Sequence, residues 1–577
     1  MPDVRSAIEQ RLAAAFDAVH AGADPVLRPS DRADLQANGA LPLAKVLGRA
    51  PAEIARSVVE QLDIADLCDE VEVSGNGFIN LTLSTRYLAE RLGDLARDPR
   101  LGIEAVASPE TIVVDYSAPN VAKEMHVGHL RTTVIGDALA RMLTFLGHDV
   151  RRENHIGDWG TPFGMLIEHL VDLGEEEGAS ELSAGDLTGF YQQARASFDS
   201  DDGFADRSRR RVVLLQSGDD ETLRLWRVLV AGSVRYFDAV YSKLGVQLTD
   251  DDIVGESYYN DMLAGVVEEL EAKGLLVVHD GAMCVFPPGF ENRNGDPLPL
   301  IVQKSDGGYG YASTDLAAIR HRVLDLGAQR MLYVVGAPQK QHFQMCFAVA
   351  AMAGWLTDET QAIHVSFGSV LGADGRMVAT RTGGTVTLVG LLDEAVDRAR
   401  AAIAGRRSAD PNNEAGSDDD DVVAKMVGIG AVKYSDLSTD RGRDYVFDWD
   451  RMLAFEGNTG PYLQYAHARI RSIFRRGDVS VPAPAAPALR DPHERALGLA
   501  LLRFPVALDD TLATYSPHKL CGYLFDVASA FTSFYENCRV LVDDEAQRTS
   551  RLILCDLSAR VLSLGLSLLG IEAPERM

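Results

Sequence analysis

The chain has 577 residues, enough for roughly three or four domains, and its 46% apolar and 24% charged residues are those of an ordinary soluble globular protein. No apolar run is long enough to span a bilayer, and the opening MPDVRSAIEQRL lacks the charged-then-apolar pattern of a secretory signal, so no membrane partner and a cytoplasmic location are expected. The net charge of −28 argues by itself against a nucleic-acid partner, although a local basic face can coexist with an acidic sum, and the six scattered cysteines contain no C-x-x-C pair that would point to a zinc or redox motif.

Residues 1–108 read as a small α+β domain. Val4, Ile8, Leu12, Phe16 and Val19 fall at helical spacing, and Pro51 opens a second helix through Val59 and Leu62. Residues 71–73, a Ser-Gly-Asn-Gly turn at 74–77 and residues 78–83 predict a hairpin. Nothing in this region carries chemistry, so it is read as a packing or binding module.

Residues 109–404 alternate strand and helix signals, the mark of an α/β fold. Strands are expected at 112–114, 275–278, 331–335 and 363–367, with insertions at about 171–230 and 276–300. The first insertion contains Arg207, Arg209, Arg210 and Arg211, the densest basic cluster in the chain. Such a cluster is either a solvated helix face or a phosphate contact.

The stretch 111–137, TIVVDYSAPNVAKEMHVGHLRTTVIGD, organises this region. A β-branched apolar run predicts a buried parallel strand. A Pro- and Asn-containing turn follows, then His126, Val127, Gly128 and His129, then a helix with apolar Leu130, Val134, Ile135, Ala138, Leu139, Met142 and Leu143 that should stop at Gly147. A strand, a turn and a helix N-terminus form the phosphate site of a doubly wound sheet. Gly128 lets backbone and nucleotide approach, and two imidazoles three residues apart can both donate hydrogen bonds to phosphate oxygens.

Residues 405–421 are poor in apolar side chains and read as a flexible loop or linker, with Asp418 to Asp421 solvated rather than metal-binding. From 422 to 577 helices are expected at about 450–476, 494–513, 517–541 and 549–569, with a Pro/Ala-rich hinge at 481–489. Residues 405–577 therefore read as linker, stem and an all-α bundle.

His126-Val127-Gly128-His129 resembles the HIGH signature of class I aminoacyl-tRNA synthetases. The longer string Asp115-Tyr116-Ser117-Ala118-Pro119-Asn120-Val121-Ala122-Lys123 narrows the resemblance to arginyl-tRNA synthetases. Gly157-Asp158-Trp159-Gly160-Thr161, Gly310-Tyr311-Ala312-Ser313-Thr314-Asp315-Leu316, the 380–386 stretch TRTGGTV and the ending LGIEAPERM agree with it. The resemblance spans essentially the whole chain. It implies a Rossmann-like doubly wound catalytic domain between an N-terminal tRNA-contacting domain and a helical anticodon-binding domain. It also implies two-step chemistry: L-arginine and ATP, with Mg2+, give arginyl-adenylate, and the arginyl group passes to tRNA. No prosthetic group, no zinc and a monomer are the accompanying expectations.

The resemblance assigns roles residue by residue. His126, Gly128, His129, His342, Thr380 and Arg381 fall to ATP. Asp115, Asn120, Tyr311, Asp315 and Gln339 fall to arginine, with Asp315 pairing the guanidinium. The family's second signature, KMSKS, uses a lysine on the leaving phosphates, but residues 376–381 here read RMVATR. Lys123, three residues before His126, is the expected substitute, with Arg381 its rival. Tyr462, Tyr465 and Arg469 share a helix face that either stacks anticodon bases or packs into the bundle. A small nucleotidylyltransferase carrying H-x-G-H has no use for the helical C-terminus. A cysteine- or glutamate-specific synthetase and an inactive RNA-binding paralogue are further alternatives; the missing lysine is the only support for the last.

Overall fold

The N-terminal helix and hairpin form where the apolar spacing places them. The computed structural model describes residues 4–30, 32–174, 187–372, 375, 386–409 and 420–577. Helix α1 (Val4–Val19) buries Ile8, Leu12, Ala15 and Phe16 and packs on α3 (Pro51–Gln61), which follows α2 (Ala40–Leu47). Strands β1 (Leu27–Pro29), β2 (Leu35–Ala37), β3 (Cys68–Val73) and β4 (Ile79–Leu83) form an antiparallel sheet of order β1-β2-β4-β3. Helix α4 (Thr85–Arg97) leads out of this unit.

The central sheet is built on β5 (Thr111–Asp115), whose Ile112, Val113 and Val114 are fully buried. Burying such a side chain stabilises the fold by about 1.5–3 kcal/mol. The chain continues through α5 (Val127–Leu146), β6 (Asp149–Glu153) and α6 (Pro162–Leu173). The insertion then supplies α7 (Leu187–Ser200), α8 (Asp202–Gln216) and α9 (Asp220–Leu244). Next come α10 (Leu263–Ala272), β7 (Val277–His279), β8 (Ala282–Val285), β9 (Leu300–Gln303), α11 (Tyr311–Leu324), β10 (Arg330–Tyr333), α12 (Lys340–Met352) and β11 (Gln361–His364). The order β11-β10-β5-β6 is parallel throughout. In register, His364, Tyr333, Asp115 and Glu153 line up along the carboxyl edge, where open α/β sheets bind ligands.

Two strand expectations need correction. The strand expected at 275–278 is β7, and it lies outside the parallel sheet: β7, β8 and β9 form a separate antiparallel sheet, so the apolar run belongs to the second insertion. Strand β6, sequence DVRRE, was not expected. Its alternating charged residues face outward at a sheet edge, where charge blunts unwanted pairing.

The linker expected at 405–421 is narrower than its composition implied. Helix α13 (Leu388–Ala409) runs on through its Ala- and Arg-rich end, and α14 (Asp420–Leu437) starts with two aspartates at its positive dipole end. Asp418 and Asp419 lie outside the described residues. The helix expected at 450–476 is split. Thr459 caps α15 (Gly460–Gly477) and Pro461 occupies its first turn. Likewise Arg503 separates α16 (Pro492–Leu502) from α17 (Phe504–Leu512), which carries Pro505 in its first turn, before α18 (His518–Asn537) and α19 (Glu545–Leu568) complete the bundle. Arg495 on α16 donates to both Asp34 oxygens at 2.7 and 2.6 Å, which docks the N-terminal unit on the bundle.

All six cysteines are free and buried. Among the described residues, no helix is long and apolar enough to cross a membrane.

Candidate active site

Between β5 and α5 the backbone enters conformations that ordinary residues avoid. Ser117, Ala118 and Ala122 have φ of 75°, 47° and 58°. The left-handed region costs a non-glycine residue on the order of 1–2 kcal/mol, so surrounding contacts must hold it there. They do. Ser117 N–H donates to Thr132 Oγ1 at 3.0 Å, Ala118 N–H to Asn154 Oδ1 at 3.0 Å, and Ala122 N–H to Ser233 Oγ at 2.9 Å. Ser117 Oγ and Tyr241 Oη share a 2.7 Å hydrogen bond. The loop is thus clamped by α5, by the segment after β6 and by α9.

The loop delivers His126 as the N-cap of α5. His126 Nδ1 accepts from Gly128 N–H at 3.0 Å, and His129 Nδ1 accepts from His126 N–H at 3.1 Å. The rings lie 4.1 Å apart between centroids. Burial, then the Lys123 charge, lowers the His126 pKa, and burial, then His126, pushes His129 down to about 4. Both imidazoles are therefore neutral near pH 7. Since each Nδ1 is an acceptor, each proton sits on Nε2, which leaves two outward donors beside the helix N-terminus. Gly128 has a further reason to lack a side chain: a Cβ there would meet His126 Cε1 at 2.6 Å.

Gly147 ends the helix with φ of 96°, as expected. Lys123 is exposed, and its Nζ lies 4.5 Å over the Tyr191 ring. Thr380 and Arg381 fall outside the described residues. The chain just after them returns to the site: Thr387 bridges His126, and Leu388 N–H donates to Met125 O at 2.8 Å.

A second, acidic group of side chains lies near Tyr333 at the carboxyl edge of the sheet. Asp315, in the second turn of α11, accepts from His342 Nε2 at 2.5 Å. That bond raises the His342 pKa and sets His342, expected at the nucleotide, against Asp315, expected at arginine. Cys346 Sγ lies 3.7 Å from the same nitrogen, and burial, then Asp315, raises its thiol pKa, so it stays protonated.

Glu256 was not recognised from sequence. Burial, then Asp158 and Asp315, pushes its carboxyl up to about 7. The Gly-Asp-Trp-Gly stretch explains how it is held. Asp158 accepts from Ser257 N–H at 2.8 Å and Ser257 Oγ–H at 2.6 Å, and Trp159 N–H bonds Glu256. A side chain on Gly255 would collide with the Asp158 carboxylate. Nearly a hundred residues of chain separate the two halves of this arrangement, which is why spacing alone did not find it.

Behind the cleft, Arg322 is fully buried. It donates from Nε to Glu153 Oε2 and from Nη2 to Asp115 Oδ2, both at 2.7 Å, with its guanidinium 5.0 Å from the Tyr333 ring. One oxygen of Asp115 is therefore committed to this pair. Asn120 is exposed beside Gly157, with which it forms a parallel bridge. Tyr311 is 76% exposed at the start of α11, and Gln339 is exposed just before α12.

Three arginines of the basic cluster are ion-paired. Arg207 pairs with Glu168 and Asp172, Arg209 with Asp206, and Arg211 with Glu168. Arg207 and Arg211 thus tie α8 to the buried Glu168 of α6. On α15, Tyr462 Oη is 3.3 Å from Thr532 Oγ1, Tyr465 packs edge-on to Phe455, and the Arg469 guanidinium lies 4.4 Å over Tyr535. The two tyrosines are half-buried and already engaged within the bundle.

Comparison with known proteins agrees with this geometry. The family model for the catalytic domain of tRNA synthetases class I (R) matches residues 94–449. The DALR anticodon binding domain matches 463–577, and the arginyl tRNA synthetase N terminal domain matches 2–83. The arginine–tRNA ligase of Thermobifida fusca is 56% identical over 572 residues, 99% of this chain and 98% of that protein. That of Nostoc punctiforme is 48% identical, over 99% and 98%. Among solved structures, the Plasmodium falciparum arginyl-tRNA synthetase matches at a TM-score of 0.87 with 31% identity and 100% of both chains covered. The Thermus thermophilus enzyme matches at 0.81 with 26% identity, over 99% and 100%. The chain belongs to the class I arginyl-tRNA synthetase family.

Proposed function

We propose that this chain attaches L-arginine to its tRNA in two steps. The arginine carboxylate attacks the α-phosphate of ATP in line to give arginyl-adenylate and pyrophosphate. The arginyl group then passes to the 2′-hydroxyl of the terminal adenosine of the tRNA. The observation that carries this reading is the pair of neutral imidazole N–H donors at the N-terminus of α5, together with the half-buried Asp315 and Glu256 carboxyl groups near the carboxyl edge of the same sheet.

The attacking carboxylate is already ionised at neutral pH, so the first step needs no general base. It needs positioning and stabilisation of charge on the phosphate oxygens. His126 and His129 supply their Nε2–H donors, the α5 dipole adds positive potential, and Lys123 brings a mobile cation to the leaving pyrophosphate, with Arg381 as the alternative. Thr380 and Gly128 complete the ATP contacts. Mg2+ is carried by the ATP phosphates: the protein groups here are imidazole N–H and ammonium donors, which suit phosphate oxygens rather than a metal.

Asp315 and Glu256 receive the guanidinium. When it enters, Asp315 exchanges His342 for a planar cation that two carboxylates can bond, and Glu256 ionises. An apolar amino acid would leave both unmatched. Asp115, Asn120, Gln339 and Tyr311 border the rest of the amino acid. The C-terminal bundle meets the tRNA through the exposed edge of the Tyr462, Tyr465 and Arg469 face, and the N-terminal domain meets the tRNA body. The protein acts as a cytoplasmic monomer.

The test is charging of total tRNA with each of the twenty amino acids, one at a time. Incorporation of arginine alone supports the proposal. Incorporation of a different amino acid, or of none while tRNA still binds, overturns it.

A further inference from the structure

Lys123 is the cation expected to replace the signature lysine, and a lysine on an exposed loop has four flexible torsions to restrain. Two helices of the insertion restrain it. Helix α9 fixes the backbone immediately before it, through the Ala122 N–H to Ser233 Oγ bond at 2.9 Å, at a residue with φ of 58°. Helix α7 supplies the Tyr191 ring, 4.5 Å from the Lys123 Nζ. Tyr191 is itself half-buried and packed against the main hydrophobic core, so its ring is a fixed platform. An ammonium over a ring face is attracted by the ring's negative quadrupole while its hydrogens remain free on the far side. The Lys123 charge also acts on His126, which puts it at the phosphate end of the cleft.

We infer that Tyr191 is a positioning residue for adenylate formation, holding the Lys123 ammonium beside the histidine pair so that it meets the ATP phosphates. This rests on the assignment of Lys123 to the phosphates. It gives the helical insertion a part in the first chemical step, in addition to its packing on α6.

A double-mutant cycle on the full-length protein, read by the single-turnover rate of arginyl-adenylate formation, tests this. Tyr191→Leu is expected to lower the rate about three- to tenfold with the KM for arginine unchanged, and Tyr191→Phe, which keeps the ring face, to recover most of it. In a Lys123→Ala background, Tyr191→Leu is expected to cost nothing further, because the ring then has no cation to hold. If Tyr191→Leu lowers the rate by the same factor with and without Lys123, or raises the arginine KM, its role is structural and the inference fails. A Lys123→Ala protein with an unimpaired rate overturns the Lys123 assignment and the inference with it.

Discussion

At the phosphate side of the cleft, burial keeps two imidazoles neutral; at the amino-acid side, burial and neighbouring carboxylates keep Glu256 protonated up to about pH 7. Both sides thus hold less charge before the substrates arrive than their residue types imply. The difference lies in what the substrate supplies. ATP brings its own negative charge and needs donors already aimed at it, so neutral N–H groups suffice. Arginine brings the positive charge that makes a second carboxylate worth ionising, so recognition and ionisation happen together. The phosphate side is built for direction and the amino-acid side for selectivity.

The comparison can be broken most forcefully at Asp315. Asp315→Asn removes the anion while keeping the shape and should lower kcat/KM for arginine by about 3–4 kcal/mol, roughly 10²- to 10³-fold, with the KM for ATP nearly unchanged. Steady-state exchange kinetics in each substrate check both halves. His129→Asn should instead lower kcat by roughly 10²-fold with little change in arginine KM, since it removes a donor that matters most when charge develops.

The His129 shift adds a pH signature. Its native pKa of about 4 lies below the ordinary 6.5, so the unfolded state binds more protons between these values. The stability it contributes is complete above about pH 6.5 and is lost as pH falls toward 4, up to roughly 3 kcal/mol. Denaturant melts of the wild type and His129→Asn from pH 7 to 4 should converge at the acid end.

Glu256 gives a smaller, sharper test. Because its carboxyl ionises near pH 7, the KM for arginine should fall as pH rises from 6 to 8, and Glu256→Gln should flatten that slope at a cost of about tenfold in affinity at pH 8. Smallest is Ser233→Ala, which leaves the Ala122 N–H without its acceptor. About 1 kcal/mol, near fivefold in kcat, is expected, with both KM values kept.

The parts of the site that were legible in the sequence are contiguous. Strand β5, the loop, the histidine pair and α5 lie within one stretch, and each local signal there agrees with the others. Glu256 was hidden because its environment is assembled from Asp158, Trp159 and Asp315, none of them near it in sequence. Strand β6 was hidden because an edge strand carrying Asp149, Arg151 and Arg152 shows charge where apolar alternation was sought. The same distance effect hid Arg322, whose partners Asp115 and Glu153 come from two different strands. On α15, spacing correctly put Tyr462, Tyr465 and Arg469 on one face, but spacing does not say what packs against it.

The most direct test of the two-sided cleft is ATP–pyrophosphate exchange with arginine set against citrulline, which has nearly the same shape and no charge, with and without arginine tRNA. The account predicts exchange with arginine at least roughly 10³-fold more efficient than with citrulline, a preference that shrinks sharply in Asp315→Asn. Comparable exchange with the two, or a preference that survives in Asp315→Asn and Glu256→Gln, would contradict it.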